Sequence, residues 1–140
     1  MYAAAAEFRL QLLAFQRRTE QATSRFGLTP ERYLLLLLLR VAELHGSTVT
    51  VTSLTEPFRM TQSSVSRLVA GALDACLVER KADARDRRRQ HLVLTPAGRR
   101  RLERTFDALT ADRAALVSAL DERLLAGLTS GSGRARRRRP

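Results

Sequence analysis

Residues 83–89, DARDRRR, hold four arginines and two aspartates in seven positions. Such a segment cannot enter a core, because unpaired charge is among the costliest things to bury. Its flanks differ in kind. LVERK (77–81) and QHLVLT (90–95) read as two strands, short segments whose apolar residues flank the charged stretch on either side. Two short strands joined by a charged tip predict an antiparallel hairpin. A lone hairpin is marginally stable in water, so the rest of the chain must supply helices for it to lie against.

The rest of the sequence supplies them. Residues 3–25 contain no Gly or Pro, and Ala5, Phe8, Leu12, Phe15 and Ala22 fall on one helical stripe. Gly27 ends this first helix, Thr29 caps the next, and Pro30 suits its first turn. The second helix carries the leucine run of residues 34–39 to about Leu44, where His45 and Gly46 stop it. That run falls far short of the roughly 20 apolar residues of a membrane span. Arg32 and Arg40 close it, and it reads as a helix buried all round.

TVTVT (48–52) alternates β-branched residues and predicts a short strand. SLTEPF predicts a third helix that is short, tight or kinked, because Pro57 removes a backbone donor and crowds the preceding turn. The next helix is the clearest, with Thr61 as its N-cap. Val65, Leu68, Val69, Ala72 and Leu73 form its apolar face, while Gln62, Ser63, Ser66, Arg67 and Ala70 lie opposite. Short polar side chains with one arginine suit a face that something approaches closely. After the hairpin, TPAG repeats the cap-then-proline signal with Thr95 and Pro96, and predicts a long helix to about Leu120. Asp121 can cap a final short helix ending near Leu128, and residues 129–140 read as a flexible basic tail.

The formal net charge of +11 is unevenly spread. Basic residues outnumber acidic ones by eight to six in residues 1–78, by ten to four in 79–104, and by seven to four in 105–140. A concentrated positive patch points to a polyanion, either nucleic acid or an anionic membrane. Cys76 is the one cysteine, so it has no disulfide or CxxC partner, and a lone Cys reads most simply as a small buried apolar residue. His45 and His91 have no carboxylate or cysteine at ligand spacing, so no metal or cofactor is expected. GxSxG, P-loop and GxGxxG motifs are absent, and Arg67 in SVSR stays protonated and cannot act as a base, so no enzyme is expected. The opening MYAAAAEFRLQ lacks a basic start and a long apolar stretch, so it is not expected to be a secretory signal, and a cytoplasmic protein is expected.

A short helix, a tight turn, a capped polar-faced helix and a basic ribbon make the pattern of a winged helix-turn-helix. The second helix of the pair can enter a major groove, with its first-turn amides suited to a phosphate, and the ribbon tip can reach an adjacent minor groove. The candidate DNA-facing residues are Thr61, Gln62, Ser63, Ser64, Ser66 and Arg67 on the helix, and Arg85, Asp86, Arg87, Arg88 and Arg89 on the wing.

At this point the chain resembles the MarR family of bacterial transcription regulators. The matching residues are TQSSVSRLV (61–69), LVER (77–80), DRR (86–88) and LTPAG (94–98), in family order and spacing. The resemblance covers residues 5 to about 128. It implies a mainly α fold with a small β-wing, and a single domain over 1–128. The winged-helix part would span about 28–98, and helices at about 3–25 and 99–128 would form a dimerisation region. It also implies a homodimer on a palindromic operator in double-stranded DNA. In the family the second arginine of DRR enters the minor groove, which here is Arg88. Asp86 would orient it or pin the turn, and Arg85, Arg87 and Arg89 would meet phosphates. The family places a ligand cleft between its dimer and DNA-binding parts. Phe8, Phe15, Phe26 and Tyr33 could line it around a small aromatic ligand, but plain core is their simpler role.

The sequence departs from the family at four places, one of them a last helix shorter than is usual there. Cys76 stands where a left-handed glycine is usual, Gly71 interrupts the recognition helix, and Pro57 interrupts the third helix. The expected function is a sequence-specific transcription regulator. The alternatives are a non-specific architectural DNA- or RNA-binding protein and, with less support, a regulator that senses oxidants through Cys76.

Overall fold

The computed structural model describes residues 1–130. From residue 131 on, the expected basic tail lies outside the described residues, and Thr129 still belongs to the last helix. The elements run α1 (Tyr2–Arg25), α2 (Pro30–His45), α3 (Val51–Phe58), α4 (Gln62–Asp74), β1 (Val78–Ala82), β2 (Gln90–Leu94), α5 (Pro96–Ala108), α6 (Thr110–Ala119) and α7 (Glu122–Thr129). They form two compact units, one from Glu20–Ala108 and one from Met1–Thr19 with the described chain from Leu109 on.

The Glu20–Ala108 unit is the winged helix. Thr29 caps α2 by accepting from the Arg32 amide at 3.1 Å, and Gly46 closes it in the left-handed region at φ +66°. Leu35, Leu36 and Leu39 on α2 are almost fully buried, with Leu54, Val65, Val69, Ala72, Leu77, Val78, Leu92, Leu94 and Leu102 completing the core. Contrary to expectation, α2 is not buried all round. Leu34, Val41 and Leu44 are 39%, 47% and 66% exposed, because α2 packs on the core through one face only.

The strand expected at residues 48–52 does not form. Thr50 and Ser53 cap each other reciprocally, Ser53 N–H to Thr50 Oγ1 at 3.2 Å and Thr50 N–H to Ser53 Oγ at 2.9 Å, so a helix begins at Val51. What survives of the strand is a single bridge, Val49 to Leu92, closed by the Leu92 amide at 2.8 Å. Pro57 falls in the last turn of α3, where the helix is about to end, and Arg59 turns the chain at φ +50°.

The hairpin forms as expected, antiparallel, with Val78 opposite Leu94 and Ala82 opposite Gln90. The long helix after it is interrupted at Leu109, where ψ flattens to −1°. No Gly or Pro marks the break in sequence, and Leu109 is a buried residue there.

In the other unit, Asp121 caps α7 by accepting from the Leu124 amide at 2.8 Å. Gly127 brings α7 close to Ala4 of α1, and Leu124 is buried. Leu109 and Leu124, which lie within the 99–128 stretch expected to form a dimerisation region, are both buried within the chain.

Candidate nucleic-acid interface

The α4 N-terminus is organised by one hydroxyl. Thr61, extended at φ −66° and ψ 157°, accepts from the Ser64 amide at 3.2 Å. The same oxygen lies 3.0 Å from Ser64 Oγ and 3.2 Å from Ser63 Oγ. Val65, Val69 and Ala72 are buried beneath it, so helical periodicity turns Gln62, Ser63, Ser66, Arg67 and Ala70 outward. All five are exposed, and Ser64 is half-buried within the cap network.

The wing tip is built by its aspartates. Asp83 Oδ1 accepts from the Arg85 amide at 2.9 Å, and Asp86 Oδ1 accepts from the Arg88 amide at 3.0 Å. The Asp83 amide donates to the Arg89 carbonyl at 2.8 Å, and the Arg89 amide to the Asp86 carbonyl at 3.0 Å. Each aspartate thus serves the backbone of a turn, as Asx side chains do. The side chains of Arg85, Arg87, Arg88 and Arg89 are exposed and, among the described residues, none is in an ion pair. Of the two roles considered for Asp86, the geometry contains the turn pin.

Between helix and wing lies a tightly fitted joint. Cys76 is left-handed at φ +56°, as its position after α4 implied, but its side chain is exposed rather than buried. The Thr95 hydroxyl donates to the Cys76 carbonyl at 2.7 Å and accepts from the Gly98 amide at 2.9 Å. A side chain at Gly98 would overlap the Leu77 carbonyl. That close approach is a physical reason for glycine in LTPAG.

Sequence reasoning missed three features. Glu43 on α2 pairs with Arg40 at 3.1 Å and with Arg99 of α5 at 3.2 Å, tying two helices whose pairing no local pattern announces. Arg100, Arg101 and Arg104 of α5 share a hollow of about 340 Å³ with Arg25 and Phe26; their helical spacing was readable in the sequence. Arg32 of α2 lies against α4 at Gly71; the glycine inside the helix was the one sequence signal, and it does not name its partner.

Of the aromatics proposed to line a cleft, Tyr33 is buried and Phe8, Phe15 and Phe26 are half-buried. A more apolar groove of about 450 Å³ runs between α2 and α5, lined by Leu37, Val41, Leu44, Leu102 and Phe106 with charged residues at its rim. Among the described residues, no group of three or more His, Cys, Asp or Glu could hold a metal, and no helix is long and apolar enough to cross a membrane.

Residues 26–89 match the family model described as MarR family. No curated protein matches the chain in sequence. Among solved structures, the S. aureus MepR–DNA complex is similar with a TM-score of 0.72 and 23% identity, covering 86% of this chain and 85% of that one. S. aureus MepR bound to ethidium bromide gives 0.61 and 23%, covering 89% and 87%. Wild-type apo MarR from E. coli gives 0.66 and 18%, covering 86% of each chain. At these identities the structural likeness is one of fold. The family match takes in the helix-turn-helix and the wing tip together; over residues 26–89 the chain is similar to the MarR family, and its fold is that of the MarR-family winged-helix structures.

Proposed function

We propose that this chain is a DNA-binding transcription regulator that recognises a specific operator as a homodimer. In this reading α4 enters the major groove, where Gln62, Ser63, Ser66 and Arg67 meet base edges and phosphates. Arg88 enters the adjacent minor groove, whose narrow stretches carry enhanced negative potential, while Arg85, Arg87 and Arg89 meet phosphates. The observation that carries the reading is the pairing of two surfaces in one unit: a short-chained polar helix face, and a turn whose aspartates are spent on the backbone so that its arginines stay unpaired. MepR, similar in fold, is seen with DNA.

The dimer would form through helices at about 3–25 and 99–128. An apolar strip on α1, with Tyr2, Leu10 and Leu13 exposed, supports this, as do exposed Val117 and Leu125. A small aromatic ligand would suit the α2–α5 groove, and MepR, again as a relative in fold only, is seen with ethidium bromide.

A non-specific architectural binder would use the same basic wing, and the net charge of +11 favours that second reading. Competition of a promoter fragment against bulk DNA at matched salt, followed by footprinting, separates the two. A protected dyad-symmetric site that resists bulk competitor supports the regulator. Equal competition by any duplex supports the architectural reading.

A further inference from the structure

Gly71 sits in the interior of α4, where glycine costs about 1 kcal/mol of helix stability against alanine. It is not left-handed and makes no turn, so its reason must lie in the space it leaves open. The Arg32 guanidinium fills that space. A Cβ placed on Gly71 would stand 2.6 Å from Arg32 Nη2, 3.4 Å from Cζ and 3.5 Å from Nε. Three atoms of one flat group lie within contact range of the same point, so the guanidinium rests on the bare backbone of α4.

Arg32 belongs to the first turn of α2. It borders the same shallow hollow as Ser64, Arg67 and Leu68 of α4, with Thr29, Glu31 and Met60 completing the rim. Glu31 is the acidic neighbour, yet among the described residues Arg32 is in no ion pair, and neither is Arg67. The hollow therefore holds two unpaired guanidinia, one from α4 itself and one lent by α2. A planar fork of donors matches a phosphate's oxygens, and its rigid seat lowers the entropy lost on binding.

We propose that Arg32, seated on Gly71, binds a backbone phosphate of the DNA that α4 reads, and so fixes the register in which α4 enters the groove. This rests on the DNA-binding reading above. It adds a contact residue outside the recognition helix and the wing, and it gives the helix-weakening glycine a function.

The test is a double-mutant cycle of Arg32→Ala, Gly71→Ala and the double variant. Binding to a mixed-sequence DNA duplex is measured over a salt series, and unfolding is followed in parallel. A phosphate contact is blind to sequence, so no operator need be known. Arg32→Ala should weaken binding several-fold and flatten the slope of log K against log salt by about 1. Gly71→Ala should hold or raise the melting temperature, because alanine is the better helix former and the displaced atoms are the tip of a flexible side chain. It should nevertheless weaken DNA binding, and do so only when Arg32 is present. Opposite signs for stability and binding are what a merely structural glycine would not produce. An unchanged salt slope in Arg32→Ala overturns the proposal. So does a Gly71→Ala defect that persists in the Arg32→Ala background. Arg88→Ala is measured alongside: if it weakens binding while Arg32→Ala does not, the DNA reading stands and this proposal alone falls. If the wild type binds no duplex, both fall.

Discussion

The Thr95 hydroxyl donates to the Cys76 carbonyl at 2.7 Å, across 19 residues of sequence. The Thr95 amide donates to the neighbouring Leu77 carbonyl at 3.1 Å. One residue at the head of α5 thus holds the exit of α4 in place, and Cys76 is kept left-handed at φ +56°.

A left-handed non-glycine residue stores on the order of 1 kcal/mol. Cys76→Gly relieves that strain and raises flexibility only in the unfolded chain, so it should be neutral or stabilising by up to about 1 kcal/mol in denaturant unfolding. Cys76→Val, branched at Cβ, should destabilise. Loss of stability in Cys76→Gly would mean that the thiol makes a contact worth more than the strain. Peroxide-sensitive DNA binding that disappears in Cys76→Ser would revive the oxidant-sensing alternative.

Gly98 should tolerate nothing larger. An added Cβ would stand 2.9 Å from the Leu77 carbonyl carbon and 3.2 Å from its Cα, both backbone atoms that cannot swing aside. Gly98→Ala should cost at least the upper part of the roughly 1–3 kcal/mol typical of overpacking. A shift in the denaturant midpoint measures it, and an unchanged midpoint would mean that α5 can slide away from β1.

The wing separates turn from charge. Arg88→Ala should weaken DNA binding while folding stability stays within about 0.5 kcal/mol, since the residue is exposed. Asp86→Ala loses the 3.0 Å bond to the Arg88 amide and should show a milder form of the same defect. Asp86→Asn keeps an acceptor and removes a negative charge, so it should bind at least as well as wild type. Titration of a labelled duplex ranks the three. A ranking with Asp86→Asn as weak as Asp86→Ala would mean that the carboxylate's charge matters more than the turn.

The dimer is best probed away from Leu124, which is only 6% exposed and whose charged variants should unfold α7. Leu10, 65% exposed on α1, is the cleaner site. Leu10→Glu should convert a sedimenting dimer to monomer and weaken operator binding while leaving the helix content intact. A wild type that sediments as a monomer yet binds one palindromic site tightly would refute the dimer.

Elements with strong local punctuation were legible in the sequence. Thr29, Thr61, Thr95 and Asp121 were each readable as caps, and each accepts the expected amide. Two short strand-like segments either side of a charged tip were enough to pair β1 with β2. Residues 48–52 were misread because β-branched threonines serve strands and caps alike, and Ser53 decides between them only through a reciprocal hydrogen bond. The leucine run was misread as wholly buried because composition cannot say which face a helix turns to its neighbours. At the candidate interface, the outward face of α4 followed from periodicity. Arg32 on Gly71 did not, because the interior glycine marks a space in α4 but nothing local names the residue that fills it.

The single Val49–Leu92 bridge has a mechanical consequence. It grips β2 from the side opposite β1 at one residue near the ribbon's base, where Val78, Leu92 and Leu94 are buried. Beyond the half-buried His91, Ala82 and Gln90 are paired with each other and exposed. The wing is therefore a cantilever, clamped at Leu92 and free toward residues 83–89. Its root is fixed by buried residues, so in the proposed DNA-binding reading the exposed tip is the part left to adjust to a groove.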